Sequence, residues 1–290
     1  MYFYRVNKLP KNTLEINLNI PTSDINEEYE KAFSRLQQEL TVEGFRKGKV
    51  PKAMAEKHLS KETVYQEMIK VLLPRLYEEI LKKESLKPII SPKIELIKAK
   101  EKEYWQIKIT LAEKPLIELG DYKKIIKETK ANQRKGDIWV PGKESASAKA
   151  SADKENKNKL LNEVLNTILK TAKVELSPLI IEEELNHRLT RLLDDVQKIG
   201  LTVENYLKSK NLTMEQLKAS YRKEIEDSYK LEFILSEVAD KENIKVEKED
   251  LDKLFSNIKE EKERKAAEEN SYFYASILRK QKTLDFLISL

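Results

Sequence analysis

There is no cysteine in this chain. Disulfides, thiolate nucleophiles and cysteine-ligated metals are therefore excluded, and the absence suits a reducing compartment. Histidine is nearly as rare. His58 and His187 are the only two and fall in different modules, so no metal site is expected, and no other cofactor. Glycine is scarce, with six in 290 residues. Clean apolar runs are as short as Val71-Leu72-Leu73, far below a membrane span, and Met1 to Lys8 lack the apolar segment of a signal peptide. A cytoplasmic protein with no membrane partner is predicted. No glycine-rich phosphate loop follows a strand and no Ser-His-Asp grouping stands out, so no catalytic residue is assigned.

What is abundant is charge: 36% of residues are charged, against 40% hydrophobic and 7% aromatic. That mixture favours helices with broad solvated faces over one large core. The net charge of +5 is too small to imply a nucleic-acid partner by itself. Its clustering matters more.

Residues 14–20 alternate apolar and polar, the mark of a strand with one buried face. Over 24–40 the period changes, and Ile25, Tyr29, Ala32, Phe33, Leu36 and Leu40 form a helical stripe behind a capping-box pair, Asp24 and Glu27. A short helix is expected over 52–58 and a longer one over 61–85, with a kink or break near Pro74. Strands near 93–99 and 104–113 read as a hairpin. Residues 1–118 are thus expected to form an α+β domain with a small antiparallel sheet. From 127 to 159 apolar residues thin out, so 119–158 read as a flexible low-complexity linker in which Trp139 is the one large apolar residue. Residues 159–290 read as an all-α domain of helical arms. Ser177-Pro178 starts one helix, Gly200 stops it, Thr202 and Thr213 cap two more, and the last two lie near 247–265 and 268–289.

The sharpest local feature is Gly44-Phe45-Arg46-Lys47-Gly48-Lys49-Val50-Pro51. Three cations surround one phenylalanine, and two glycines free the backbone that presents them. Cations on a tip suit phosphate, and an exposed phenylalanine suits a pocket on a partner protein. On the residues alone a second reading stays open: a solvated basic turn with Phe45 folded back on the core.

This octapeptide resembles the ribosome-binding signature of the trigger factor family. Its setting matches too: strand, amphipathic helix, motif, short helix, long helix, hairpin. The helical part is similar by pattern, as in Leu176-Ser177-Pro178-Leu179-Ile180 and the closing Leu284-Asp285-Phe286-Leu287. The resemblance implies an ATP-independent chaperone that binds nascent or unfolded polypeptides. It implies that Gly44, Phe45, Arg46, Lys47, Gly48 and Lys49 meet a ribosomal protein and ribosomal RNA beside the tunnel exit, and that the protein forms a homodimer off the ribosome. The family usually carries a prolyl isomerase domain between its two halves. Such a domain needs on the order of 100 residues, which the linker does not supply, so no enzyme activity is expected.

In the helical half, Tyr206, Met214, Tyr221, Phe233, Phe255 and Phe273 sit among dense charges and are candidate client contacts. The competing reading for each is ordinary helix packing. Glu182-Glu183-Glu184 reads as a dipole-stabilised first helical turn rather than a metal or acid–base site. Two other functions stay in view: an isomerase with residual activity, and a non-catalytic scaffold whose basic loop binds RNA or an acidic partner.

Overall fold

The computed structural model describes residues 2–136, 146–258 and 260–290, and only the backbone of 132–136 and 146–158. The chain divides into two compact units, Met1–Lys114 with Ser177–Ile180, and Pro115–Leu176 with Ile181–Leu290.

In the first unit β1 (Phe3–Leu9), β2 (Thr13–Ile20), β3 (Lys93–Lys98) and β4 (Trp105–Ala112) form an antiparallel sheet in the order β1-β2-β4-β3. The expected hairpin is β3 with β4. The register of β2 on β4 sets Ile16 against Ile109 and Leu18 against Ile107, so alternation in both sequences lands on one face. That face is the core, where Ile16, Ile109 and Leu111 have no exposed surface. Burying each such side chain contributes about 1.5–3 kcal/mol. Helices α1 (Thr22–Glu39) and α3 (Lys61–Glu84) join the same core through Ile25, Ala32 and Phe33, and through Val64, Met68, Leu72, Leu76 and Ile80. The short α2 (Lys52–His58) lies between them in sequence.

Sequence reasoning overlooked β1. Its signal was there, because Tyr2, Tyr4 and Val6 alternate and pack against the core, with Tyr4 opposite Leu18 and Val6 opposite Ile16. Phenols fasten the strand to α3: Tyr2 donates to Glu79 at 2.8 Å and Tyr4 to Glu84 at 2.8 Å. Burial and the Glu79 bond push the Tyr2 phenol up to about 12. Two further expectations are corrected. The start of α1 is Pro21 in extended conformation, with no side-chain cap, so Asp24 and Glu27 make no capping box. Of the kink or break expected near Pro74, the break is not made: helix α3 runs on through that residue, because the apolar stripe on either side holds both halves to one core.

Glu28 is the one buried acid of α1. Burial pushes its carboxyl up, but hydrogen bonds from Arg75 and Lys31, each at 3.0 Å, outweigh that and hold it below its ordinary range. Its stabilisation is therefore present above the ordinary carboxylate range and is lost as acidification passes the lowered value. Thr13 and Ser177, both buried, share a hydroxyl bond of 2.7 Å within the first unit. The buried Tyr77 hydroxyl has no partner among the described residues. Tyr77→Phe is expected to leave stability unchanged or raise it by about 1 kcal/mol, since an unmatched hydroxyl loses hydration for nothing; denaturant unfolding reads this directly.

The second unit holds a two-stranded ladder, β5 (Ile117–Glu118) with β6 (Lys173–Val174), and helices α4 (Tyr122–Gly136), α5 (Ala146–Thr171), α6 (Pro178–Lys198, whose first three residues belong to the first unit), α7 (Val203–Ser209), α8 (Met214–Lys241), α9 (Lys248–Ser256), α10 (Glu261–Glu269) and α11 (Ser271–Ser289). The linker expected over 119–158 is thus helical across Tyr122–Gly136 and again from Ala146. Leu119, Tyr122 and Ile126 bury with Val164, Ile168, Ile234, Val238 and Leu287. Four-residue spacing supplied the stripe, and alanine-rich sequence after 145 favours helix despite its low complexity. Trp139 lies outside the described residues. The helix expected over 247–265 is two, α9 and α10.

Several caps follow expectation. Thr202 accepts from the Asn205 amide, and Thr213 and Gln216 exchange both bonds of a capping box. Gly200, at φ +73, ends α6 in a Schellman turn, with Leu201 N–H to Val196 O and Gly200 N–H to Gln197 O, both at 3.0 Å. Glu182–Glu184 lie beyond the first turn of α6, contrary to the dipole reading. Glu182 instead accepts from Arg222 at 2.9 Å and Glu184 from Arg188 at 3.4 Å.

Candidate functional site

The octapeptide leaves the end of α1 and enters α2 through two hydrogen-bonded turns. Phe45 N–H bonds Val42 O at 3.1 Å, and Lys49 N–H bonds Arg46 O at 2.9 Å. In each turn the third residue is glycine, Gly44 at φ +85 and Gly48 at φ +78. A positive φ at that position is what makes glycine the fitting residue. The two glycines differ in surroundings. A Cβ on Gly44 would meet nothing within 4 Å, whereas one on Gly48 would sit 3.1 Å from Gln38 O. Gly48→Ala should therefore cost more than Gly44→Ala, about 1–2 kcal/mol against about 1, and thermal unfolding of the two single variants tests the order.

The exit of the loop is tied down. Gln37 donates to Val50 O at 2.7 Å, Val50 is buried, and Pro51 precedes α2. Lys52, next in line, is engaged, bonded to Glu30 at 2.7 Å with its ammonium 5.5 Å from the Phe33 ring centre. The tip itself is different. Phe45 is 39% exposed rather than folded into the core, and Arg46, Lys47 and Lys49 are exposed with no ion pair among the described residues. An apolar ring between unneutralised cations, on a backbone fixed at both ends, can meet phosphate and an apolar pocket together.

Of the six aromatic and methionine candidates in the helical half, Phe273 alone is well exposed, at 60%, edge-on to Tyr274 at 5.6 Å. Tyr206, Met214 and Tyr221 are half-buried. Phe233 packs on the core of the second unit near Tyr229. Phe255 is corrected to a packing residue. It is buried, with its ring edge-on to Tyr274 at 5.6 Å. Exposed apolar side chains that sequence reasoning missed are Leu193, Ile199, Leu201 and Ile277. His58 and His187 are exposed, and among the described residues no His, Asp and Glu group could hold a metal ion. No helix among them is long and apolar enough to cross a membrane.

Two family models match. Bacterial trigger factor protein covers residues 3–138, and bacterial trigger factor protein C-terminus covers 144–288. Trigger factor of Lactiplantibacillus plantarum is 34% identical over 111 residues, which is 38% of this chain and 25% of that protein. Trigger factor of Shouchella clausii is 34% identical over 116 residues, 40% of this chain and 27% of that protein. For Limosilactobacillus fermentum the identity is 31% over 150 residues, 52% and 31%. This chain therefore matches about a quarter to a third of the length of these relatives. A solved structure of the trigger factor chaperone, described for promiscuous substrate recognition in folding and assembly, superposes with TM-score 0.67 over 99% of both chains at 15% identity. That likeness establishes the fold, and the two family models, abutting across almost the whole chain, establish the kinship: this protein belongs to the trigger factor family.

Proposed function

We propose that this chain is an ATP-independent, cytoplasmic chaperone. It docks on ribosomes through Gly44–Lys49 and holds nascent or unfolded polypeptides against its helical half, without prolyl isomerase activity. The observation that carries the docking is the exposed Phe45 between three cations with no ion pair among the described residues, on a doubly turned, tethered tip. Arg46, Lys47 and Lys49 suit ribosomal RNA phosphate, and Phe45 suits a pocket on a ribosomal protein beside the tunnel exit. Holding is passive. Scattered exposed apolar groups such as Leu193, Ile199, Tyr272 and Phe273 cover client segments weakly, and folding of the client releases them. The absence of isomerase activity is supported by arithmetic, because the family models leave only residues 139–143 between them. The intact chain is expected to co-sediment with ribosomes and to show no turnover of a proline peptide above background. A chain that stays in the supernatant at low salt sinks the docking reading, and clear turnover sinks the non-catalytic one.

A further inference from the structure

We propose that the outer edge of β3 receives a short, extended, uncharged apolar stretch of polypeptide as an added strand. This rests on the holding function proposed above and names a site for it in the first unit. β3 is the terminal strand of the sheet, so one side of its backbone has no strand neighbour among the described residues. Ile94 and Leu96 are the cross-strand partners of Ile109 and Ile107 and so lie on the same face as the buried core. Yet Ile94 is 43% and Leu96 50% exposed, while Ile109 and Ile107 are buried. The core face of the sheet thus continues past its covering helices onto an open strand. Ile97 is the extra residue of a bulge between Leu96 and Lys98 and is 60% exposed. Ile89 and Tyr104 add exposed apolar surface near the two ends of the strand.

Sheet edges are normally protected by free charge and by bulges that carry polar groups. Here the bulge residue is isoleucine, and the lysines are already matched. Lys93 and Lys108 both bond Glu95, at 2.9 and 2.8 Å, and Lys98 bonds Glu103 at 2.7 Å. Those two lysines hold the Glu95 carboxyl down at about 2, so the pairing persists at any ordinary pH. Charges tied up in ion pairs on one face, with alternate apolar side chains on the other, fit an uncharged strand. A charged occupant would bring an unmatched ion into the contact. Main-chain hydrogen bonds supply affinity without reading sequence, and Ile94 and Leu96 ask only for apolar residues at alternate positions.

The probe is a capped peptide of alternating threonine and valine with a soluble glycine-serine tail, added to the full chain. Amide hydrogen exchange should slow at residues 93–98. N-methylation of alternate peptide amides, and separately the double variant Ile94→Asp with Leu96→Asp, should each weaken binding at least tenfold. The variant's melting and ribosome co-sedimentation should match the parent. Unprotected amides at 93–98 in the peptide-bound parent, which needs no variant, overturn the inference. So does undiminished binding by the double variant. Protection at 93–98 that grows with protein concentration in the absence of peptide also overturns it, by making the edge an interface between copies of the chain. If the parent suppresses aggregation while 93–98 stay unprotected, this inference alone fails; if it neither binds the peptide nor suppresses aggregation, the holding function fails with it.

Discussion

Replacing Arg46 and Lys47 together by Glu should abolish co-sedimentation with ribosomes while leaving suppression of aggregation largely intact. Both side chains project from the tip with no partner among the described residues, so their loss breaks nothing inside the fold and unfolding should stay within about 0.5 kcal/mol of the parent. On the docking proposed above, the reversal would remove two contacts to phosphate and add two repulsions. Salt should mimic it in part, because each phosphate contact contributes roughly −0.7 to −0.9 to the slope of log affinity against log salt. Phe45→Ala should weaken docking more mildly, by about 2 kcal/mol or thirtyfold, as expected when a single aromatic anchor leaves its pocket. Undiminished co-pelleting of the double variant would remove the tip from the docking surface.

The second large effect is expected at Tyr122. Its ring is buried in the core of the second unit, its hydroxyl donates to Glu242 at 2.5 Å, and Lys241 lies 5.5 Å from the ring centre. Glu242 also accepts from Lys123 at 2.8 Å. Burial, with the bond to Glu242, pushes the phenol above its ordinary range. Tyr122→Ala should cost about 3–5 kcal/mol through the cavity it leaves, lowering the melting midpoint by roughly 10 °C for a unit of this size. Tyr122→Phe separates the ring from the hydroxyl and should cost about 1 kcal/mol, because Lys123 still satisfies Glu242. A small effect of the alanine variant in calorimetry would mean that α4 is not integral to this core.

Both predictions bear on what could be read in the residues. Where one period dominated, the sequence was plain. The alternation of Leu14 to Ile20, the strand near 104–113 and the long helix over 61–85 fall where expected. So do the caps at Thr202 and Thr213, since a hydroxyl three residues before an amide is a local event. The glycines of the tip were legible as backbone freedom, but their repetition as two successive turns emerged only from the hydrogen bonds. Misreadings came where distant partners decide. The strand β1 is specified by aromatic residues that meet α3 some 80 positions away, and α4 by residues of α8 and α11. The acids of α6 were explained by the helix dipole when their partners are arginines. Exposure of Leu193 and burial of Phe255 depend on which arc of each helix finds a neighbour, which the chain's own period does not state.

The small ladder between β5 and β6 has a bearing on how chains of this family vary in length. Ile117 pairs with Val174 and Glu118 with Lys173, so the two ends of the span that carries α4 and α5 are held side by side. Closing a flexible loop costs entropy only logarithmically, about 0.6 kcal/mol for each doubling of its length. Added chain within this span would therefore cost the unit that closes it little closure entropy. The ladder works as a clasp: it fixes the ends of a span whose two helices complete the core, so added length within that span is tolerable while loss of either helix is not.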